Sequence, residues 1–191
     1  ILGNGSNEIL EFIARSNIDN KSEVIIPKHS FLVYEIISKL QNAKIITTKP
    51  DNDKASENYL GINLESVKEK ITKKTKLIFI ANPANPTGTY IKLSKIEKFL
   101  KLVPKNISII IDEAYYEYLN PNDNKSAVSL IKKYKNLFVT RSFSKMYGLA
   151  SLRVGYGVSS LENISKLKMY KQPFNTNNFA QNAALLALKD H

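Results

Sequence analysis

Apolar residues fall into two kinds of run along this chain, and the two kinds alternate. Short runs such as Leu77-Ile78-Phe79-Ile80 and Ile107-Ser108-Ile109-Ile110-Ile111 are nearly continuous in β-formers, as expected of strands covered on both faces. Between them lie longer segments with apolar residues on one helical face and lysine or glutamate on the other. The pattern predicts strands over 23–27, 44–48, 76–81, 107–112, 136–140 and 153–158. It predicts helices over 7–15, 31–40, 64–72, 94–102, 127–134, 161–170 and 179–188. Segments 50–61 and 120–125 are polar and read as loops, and no internal repeat is visible. Alternating strands and helices imply an α/β fold with a mainly parallel sheet flanked by helices. Ligands of such sheets bind beyond the carboxyl ends of the strands, so the residues after each run are where chemistry is expected.

The composition changes this picture little. A chain of 191 residues, 43% hydrophobic and 24% charged, is sized for one domain with a real core. No run approaches the roughly 18 apolar residues of a membrane span, and no signal-type leader opens the sequence, so a cytoplasmic protein is expected. Without cysteine, and with His29 and His191 far apart, no metal site is expected. The net charge of +11 would by itself suggest nucleic acid. However, 25 of the 28 basic residues are lysines, isoleucine and asparagine are also abundant, and the lysines scatter over amphipathic segments such as 64–76 and 91–101. Biased codon usage and solvated helix faces explain that distribution, and no nucleic-acid partner is expected. The start at Ile1, without methionine, and the end just after a helical run predict a piece of a longer protein.

Three successive strands run into chemically distinctive segments. The first ends on Asn82-Pro83-Ala84-Asn85-Pro86-Thr87-Gly88, a stiff turn able to hold the Asn85 amide against a ligand. The second ends on Asp112, where an apolar strand would bury a carboxylate, with Tyr115 three residues later. The third leads to Ser142, Ser144 and Lys145, and Arg153, one of only three arginines, follows eight residues on. A lysine held among apolar groups or near a cation can form a Schiff base with an aldehyde, and Arg153 with the two serines makes a phosphate cradle. An amine beside a phosphate site suggests pyridoxal phosphate, whose ring nitrogen needs an acid such as Asp112. Near the start, Gly3-Asn4-Gly5-Ser6-Asn7 precedes a helix whose free N–H groups could receive the phosphate, although no strand is visible before it.

Asn85-Pro86-Thr87-Gly88, Asp112-Glu113-Ala114-Tyr115 and Ser142-Phe143-Ser144-Lys145, followed by Gly148-Leu149-Ala150-Ser151-Leu152-Arg153-Val154-Gly155-Tyr156, resemble the fold-type I, class I/II pyridoxal-phosphate aminotransferases. Within that family the chain is most similar to the histidinol-phosphate aminotransferases. The resemblance implies that residues 1–191 form the cofactor-binding large domain, truncated at both ends and without the small domain. It implies Lys145 as the Schiff-base lysine that moves a proton between the substrate α-carbon and the cofactor, Asp112 as partner of the pyridinium nitrogen, and Asn85 and Tyr115 as partners of the ring oxygen. Ser142, Arg153, the Ser6 and Asn7 amides and Ser144 match the phosphate cradle, and His29 falls where an aromatic ring stacks on the cofactor. Small amino-acid and keto-acid substrates and a homodimer are also implied. Other transaminases, a phosphothreonine-type decarboxylase and a non-catalytic regulatory domain share these motifs and remain alternatives.

Overall fold

The structure is a computed structural model and describes residues 1–120 and 125–190; His191 and most of the expected loop at 120–125 lie outside them. Within the described residues the order is β1 (Leu2–Gly3), α1 (Ser6–Asn17), β2 (Glu23–Pro27), α2 (Leu32–Leu40), β3 (Lys44–Thr48), α3 (Leu64–Glu69) and β4 (Thr75–Ala81). There follow α4 (Leu93–Leu102), β5 (Ser108–Asp112), β6 (Leu137–Ser142), β7 (Gly155–Val158), α5 (Leu161–Lys168) and α6 (Asn178–Ala187). One sheet runs β1-β7-β6-β5-β4-β2-β3. Its centre and its β3 end are parallel, while β7 joins β6 antiparallel and β1 joins β7 antiparallel.

Strand alternation sorts the core into two layers. Leu77, Phe79, Ala81, Ile110 and Phe138 pack against α1 and α2 on one face. Ile78, Ile80, Ile109, Ile111, Leu137 and Val139 pack against α4 and Val67 of α3 on the other. Burial on both faces is the reason these strands read as unbroken apolar runs. A smaller cluster of Phe143, Val154, Ala180 and Ala184 holds α6 beside the end of β6.

Two elements depart from the sequence reading. The helix expected over 127–134 is a 3-10 turn, Ala127–Leu130, that continues only as turns. Its N–H groups bond three residues back, and the Ala127 N–H is tied to the Glu113 carboxylate, so so short a segment never propagates an α-helix. The glycine cluster does follow a strand after all. β1 has only two residues, too few for any periodicity, and exists because Gly155 and Tyr156 pair with it.

Ile110 is fully buried in the central strand. Ile110→Ala should lower the unfolding free energy by about 2–5 kcal/mol, read as a lower urea midpoint at unchanged m, whereas Leu161→Ala at the 88% exposed start of α5 should stay within about 0.5 kcal/mol.

Candidate active site

The carboxyl ends of β4, β5 and β6 lie side by side, and each delivers a different group. After β4 the chain is stapled into a rigid loop. The Asn82 side chain donates to the Ile91 carbonyl at 2.9 Å and accepts from the Ile91 N–H at 2.7 Å, and the Ala84 N–H donates to the Thr89 carbonyl at 2.9 Å. Asn85 stands on this loop, and the Asn82–Pro83 and Asn85–Pro86 bonds are both cis.

β5 ends on two consecutive acids that alternation sends to opposite faces. The Asp112 carboxylate is buried on the α2 side, accepting from the Tyr34 hydroxyl at 2.7 Å and the Thr140 hydroxyl at 2.8 Å. Burial pushes its pKa up, against the pull of these donors, the Ala114 N–H and the charge of Lys145. Glu113, on the other face, accepts from Arg141 Nε at 2.7 Å, the Ser126 hydroxyl at 2.7 Å and the Ala127 N–H at 2.7 Å. Its pKa is likewise raised by burial, with the Arg141 charge opposing. Arg141 also donates to Glu117 at 2.7 Å and lies 3.8 Å from the centre of the Tyr116 ring, which locks the ends of β5 and β6 together.

After β6, the Ser144 N–H donates to the Ser142 hydroxyl at 3.1 Å, and Lys145 projects with Nζ 5.3 Å from the centre of the Tyr115 ring. Lys145 is exposed rather than held among apolar groups as expected. Arg153, in a left-handed conformation (φ 57°), donates to the Ser144 hydroxyl at 3.2 Å and the Ala150 carbonyl at 3.0 Å. Its guanidinium lies against Gly5, where a Cβ would collide with it; Gly5 also has φ 78°. α1 has no side-chain cap at its N-terminus, and its first residues, Ser6 and Asn7, line the pocket.

Ser6, Asn7, Asn85, Asp112, Tyr115, Ser142, Ser144, Lys145 and Arg153 all line one pocket of about 210 Å³. His29 does not. It occupies a left-handed turn (φ 59°) after β2, with Nδ1 3.2 Å from the Leu60 carbonyl, and lines a separate concavity with Lys28 and Thr48. The turn carries its ring toward β3, and it is Phe31, two residues on, that lines the pocket in its place. Sequence reasoning also missed Tyr34 and Thr140. Thr140 could have been found by stepping back two residues from Ser142 along the strand, and Tyr34 by stepping one helical turn beyond Phe31. Among the described residues no cluster of His, Cys, Asp and Glu could hold a metal, and no helix is long and apolar enough to cross a membrane.

A family model described as aminotransferase class I and II matches residues 1–191. The chain belongs to that family. It is 44% identical over 190 residues to histidinol-phosphate aminotransferase 1 of Idiomarina loihiensis, covering 100% of this chain and 50% of that protein. The crystal structure of the histidinol-phosphate aminotransferase from Clostridium acetobutylicum superposes with a TM-score of 0.86 at 33% identity, over 100% of this chain and 54% of that one. The Sinorhizobium meliloti histidinol-phosphate aminotransferase, solved in complex with pyridoxal 5′-phosphate, shares the fold at a TM-score of 0.90 and 24% identity, over 100% of this chain and 50% of that one. The chain thus spans about half the length of the curated relatives it matches.

For this aminotransferase chain the donor set suits a phosphorylated pyridine aldehyde. A guanidinium, hydroxyls and an uncapped helix start form an anion cradle in which a Cβ at position 5 would displace the guanidinium, and an amine and a buried carboxylate share the same pocket. The carboxylate costs stability when nothing cationic pairs with it. A raised pKa means the folded protein binds a proton more readily than the unfolded chain, so this cost appears as pH rises through the Asp112 pKa. Asp112→Asn should therefore raise the melting temperature of the cofactor-free protein at neutral pH, with the gain shrinking as the pH is lowered into the carboxylate range; thermal scans across pH measure it.

Proposed function

We propose that residues 1–191 form the cofactor-binding domain of a pyridoxal-phosphate-dependent transaminase, one that exchanges the amino group of histidinol phosphate for the carbonyl oxygen of 2-oxoglutarate, giving imidazole-acetol phosphate and glutamate. The observation carrying this reading is the convergence of Lys145, Asp112 and the Arg153 cradle on one pocket. Its substrate assignment rests on the names of the relatives. Bound pyridoxal 5′-phosphate would supply an electron sink for negative charge developing on the substrate carbon that carries the amine. Lys145 would hold the cofactor's aldehyde carbon through Nζ and, once displaced by the substrate amine, would take the proton from the substrate carbon that carries the amine and deliver it to the former aldehyde carbon. Asp112 would keep the ring nitrogen protonated. Asn85 and Tyr115 would bind the ring oxygen, and Phe31 would cover a ring face. Ser6, Asn7, Ser142, Ser144 and Arg153 would bind the phosphate, meeting its charge with a fixed cation, hydroxyls and the positive end of α1. Family resemblance extends the proposal to a cytoplasmic homodimer.

The test is borohydride reduction of the full protein mixed with pyridoxal 5′-phosphate, followed by peptide mapping, with glutamate formation assayed from histidinol phosphate and 2-oxoglutarate. The label should fall on Lys145, and Lys145→Ala should lose 10²-fold or more in turnover. A label elsewhere, near-normal turnover in that variant, or no glutamate from histidinol phosphate while phosphothreonine releases carbon dioxide, would defeat the reading. Gly5→Ala should displace the Arg153 guanidinium and weaken binding of pyridoxal 5′-phosphate much more than binding of unphosphorylated pyridoxal, a comparison that cancels any general loss of fold.

A further inference from the structure

The buried Asp112 carboxylate is held by two side chains outside the motifs that carry the family resemblance. Tyr34 reaches it from α2 and Thr140 from β6, one hydroxyl on each carboxylate oxygen. Tyr34 has no solvent contact, and its ring stacks on Phe79 with centres 4.6 Å apart and planes at 12°. Phe31 meets the same ring edge-on, with centres 5.7 Å apart at 90°. The phenol is therefore clamped between two aromatic contacts, and its hydroxyl is buried against the carboxylate. Burial, together with the Asp112 charge, raises the Tyr34 pKa well above its ordinary value, so the group stays a neutral donor at any working pH. The titratable groups acting on the carboxylate are Tyr34 from α2 and Lys145 beyond β6, and Tyr115 acts in turn on Tyr34.

We propose that Tyr34 and Thr140 are positioning residues that set the basicity of Asp112, so that the proton it shares with the cofactor's ring nitrogen stays on the nitrogen. This rests on the reading of the pocket as a pyridoxal-phosphate site. A carboxylate already accepting two hydrogen bonds is a weaker base than one accepting fewer. If one donor is removed, the carboxyl group draws the shared proton toward itself, and the ring withdraws electrons less strongly. Tyr34 has a second effect through Phe31, because the ring that covers the cofactor's face leans on the ring that steadies its nitrogen partner. Face and edge of the slot are then registered by one side chain of α2.

The experiment compares the wild-type full protein, Tyr34→Phe and Thr140→Val, each loaded with pyridoxal 5′-phosphate. It measures cofactor affinity by fluorescence titration and the pH midpoint at which the absorbance of the Lys145-bound cofactor changes. Each variant should bind the cofactor roughly tenfold more weakly, within the range for a hydrogen bond to a charged group, and should move the midpoint upward. Thr140→Val does this without touching the aromatic stack, so agreement between the two separates an effect on Asp112 from disturbed packing. A lowered melting temperature with unchanged midpoint and affinity would reduce both residues to structural ones and overturn the proposal while leaving the cofactor reading intact. A wild-type protein that takes up no cofactor would overturn both.

Discussion

A carboxylate buried at the end of a central strand must be met by fixed donors, because desolvation otherwise neutralises it. Asp112 terminates β5, which has parallel neighbours on both sides, so its backbone is fully committed to the sheet and the side chain cannot swing out to water. The surroundings have to come to it. α2 is packed so that Tyr34 reaches one oxygen, and β6 is registered so that Thr140, paired with Asp112 across the ladder, reaches the other. Part of the rest of the pocket follows from that pair of commitments, since α2 is preceded by Phe31 and β6 leads into Ser142, Ser144 and Lys145.

The next residue shows the same logic on the opposite face. Glu113 is as deeply placed as Asp112, but it meets a permanent cation in Arg141 and ties down the turn at Ser126 and Ala127. One of the two adjacent acids is thus neutralised within the fold and serves to fasten strands. The other is solvated only by neutral hydroxyls, an N–H and the more distant Lys145, and remains available for a cationic ligand. A strand's period of two is what permits such unlike fates for neighbours in sequence. The phosphate-type cradle is assembled by a comparable economy of space: β7 pairs with both β1 and β6, and Gly155 lets the start of α1 approach the strand where a Cβ would strike the Gly5 and Ser6 backbone.

Much of this was legible in the residues themselves. Strands 23–27 and 44–48 fall where the alternation of runs put them, and the other four are displaced by only one or two residues at their ends, because burial on both faces leaves an unmistakable apolar signature. Nine of the ten candidate site residues converge: eight sit at or shortly after the carboxyl end of a parallel strand or at a helix start, and Arg153 precedes β7, whose antiparallel start pairs with the end of β6. His29 failed for a local reason: a single left-handed residue reverses which side of the chain a ring faces, and nothing in the pattern marks a histidine as left-handed. The two-residue β1 and the 3-10 turn at Ala127–Leu130 failed because they owe their form to distant partners, Gly155 with Tyr156 and Glu113.

What the sequence determined alone, then, was most of the strands and helices and which residues stand at the carboxyl edge of the sheet, an amine, an acid and a guanidinium among them. Those properties follow from local periodicity and from the directionality of a parallel sheet. Only the tertiary structure decided that Asp112 leans on Tyr34 and Thr140, 78 and 28 residues away, that Phe31 rather than His29 faces the pocket, and that Arg153 closes on Gly5. These are contacts between side chains remote in sequence, chosen by helix packing and strand register, and no local pattern encodes them.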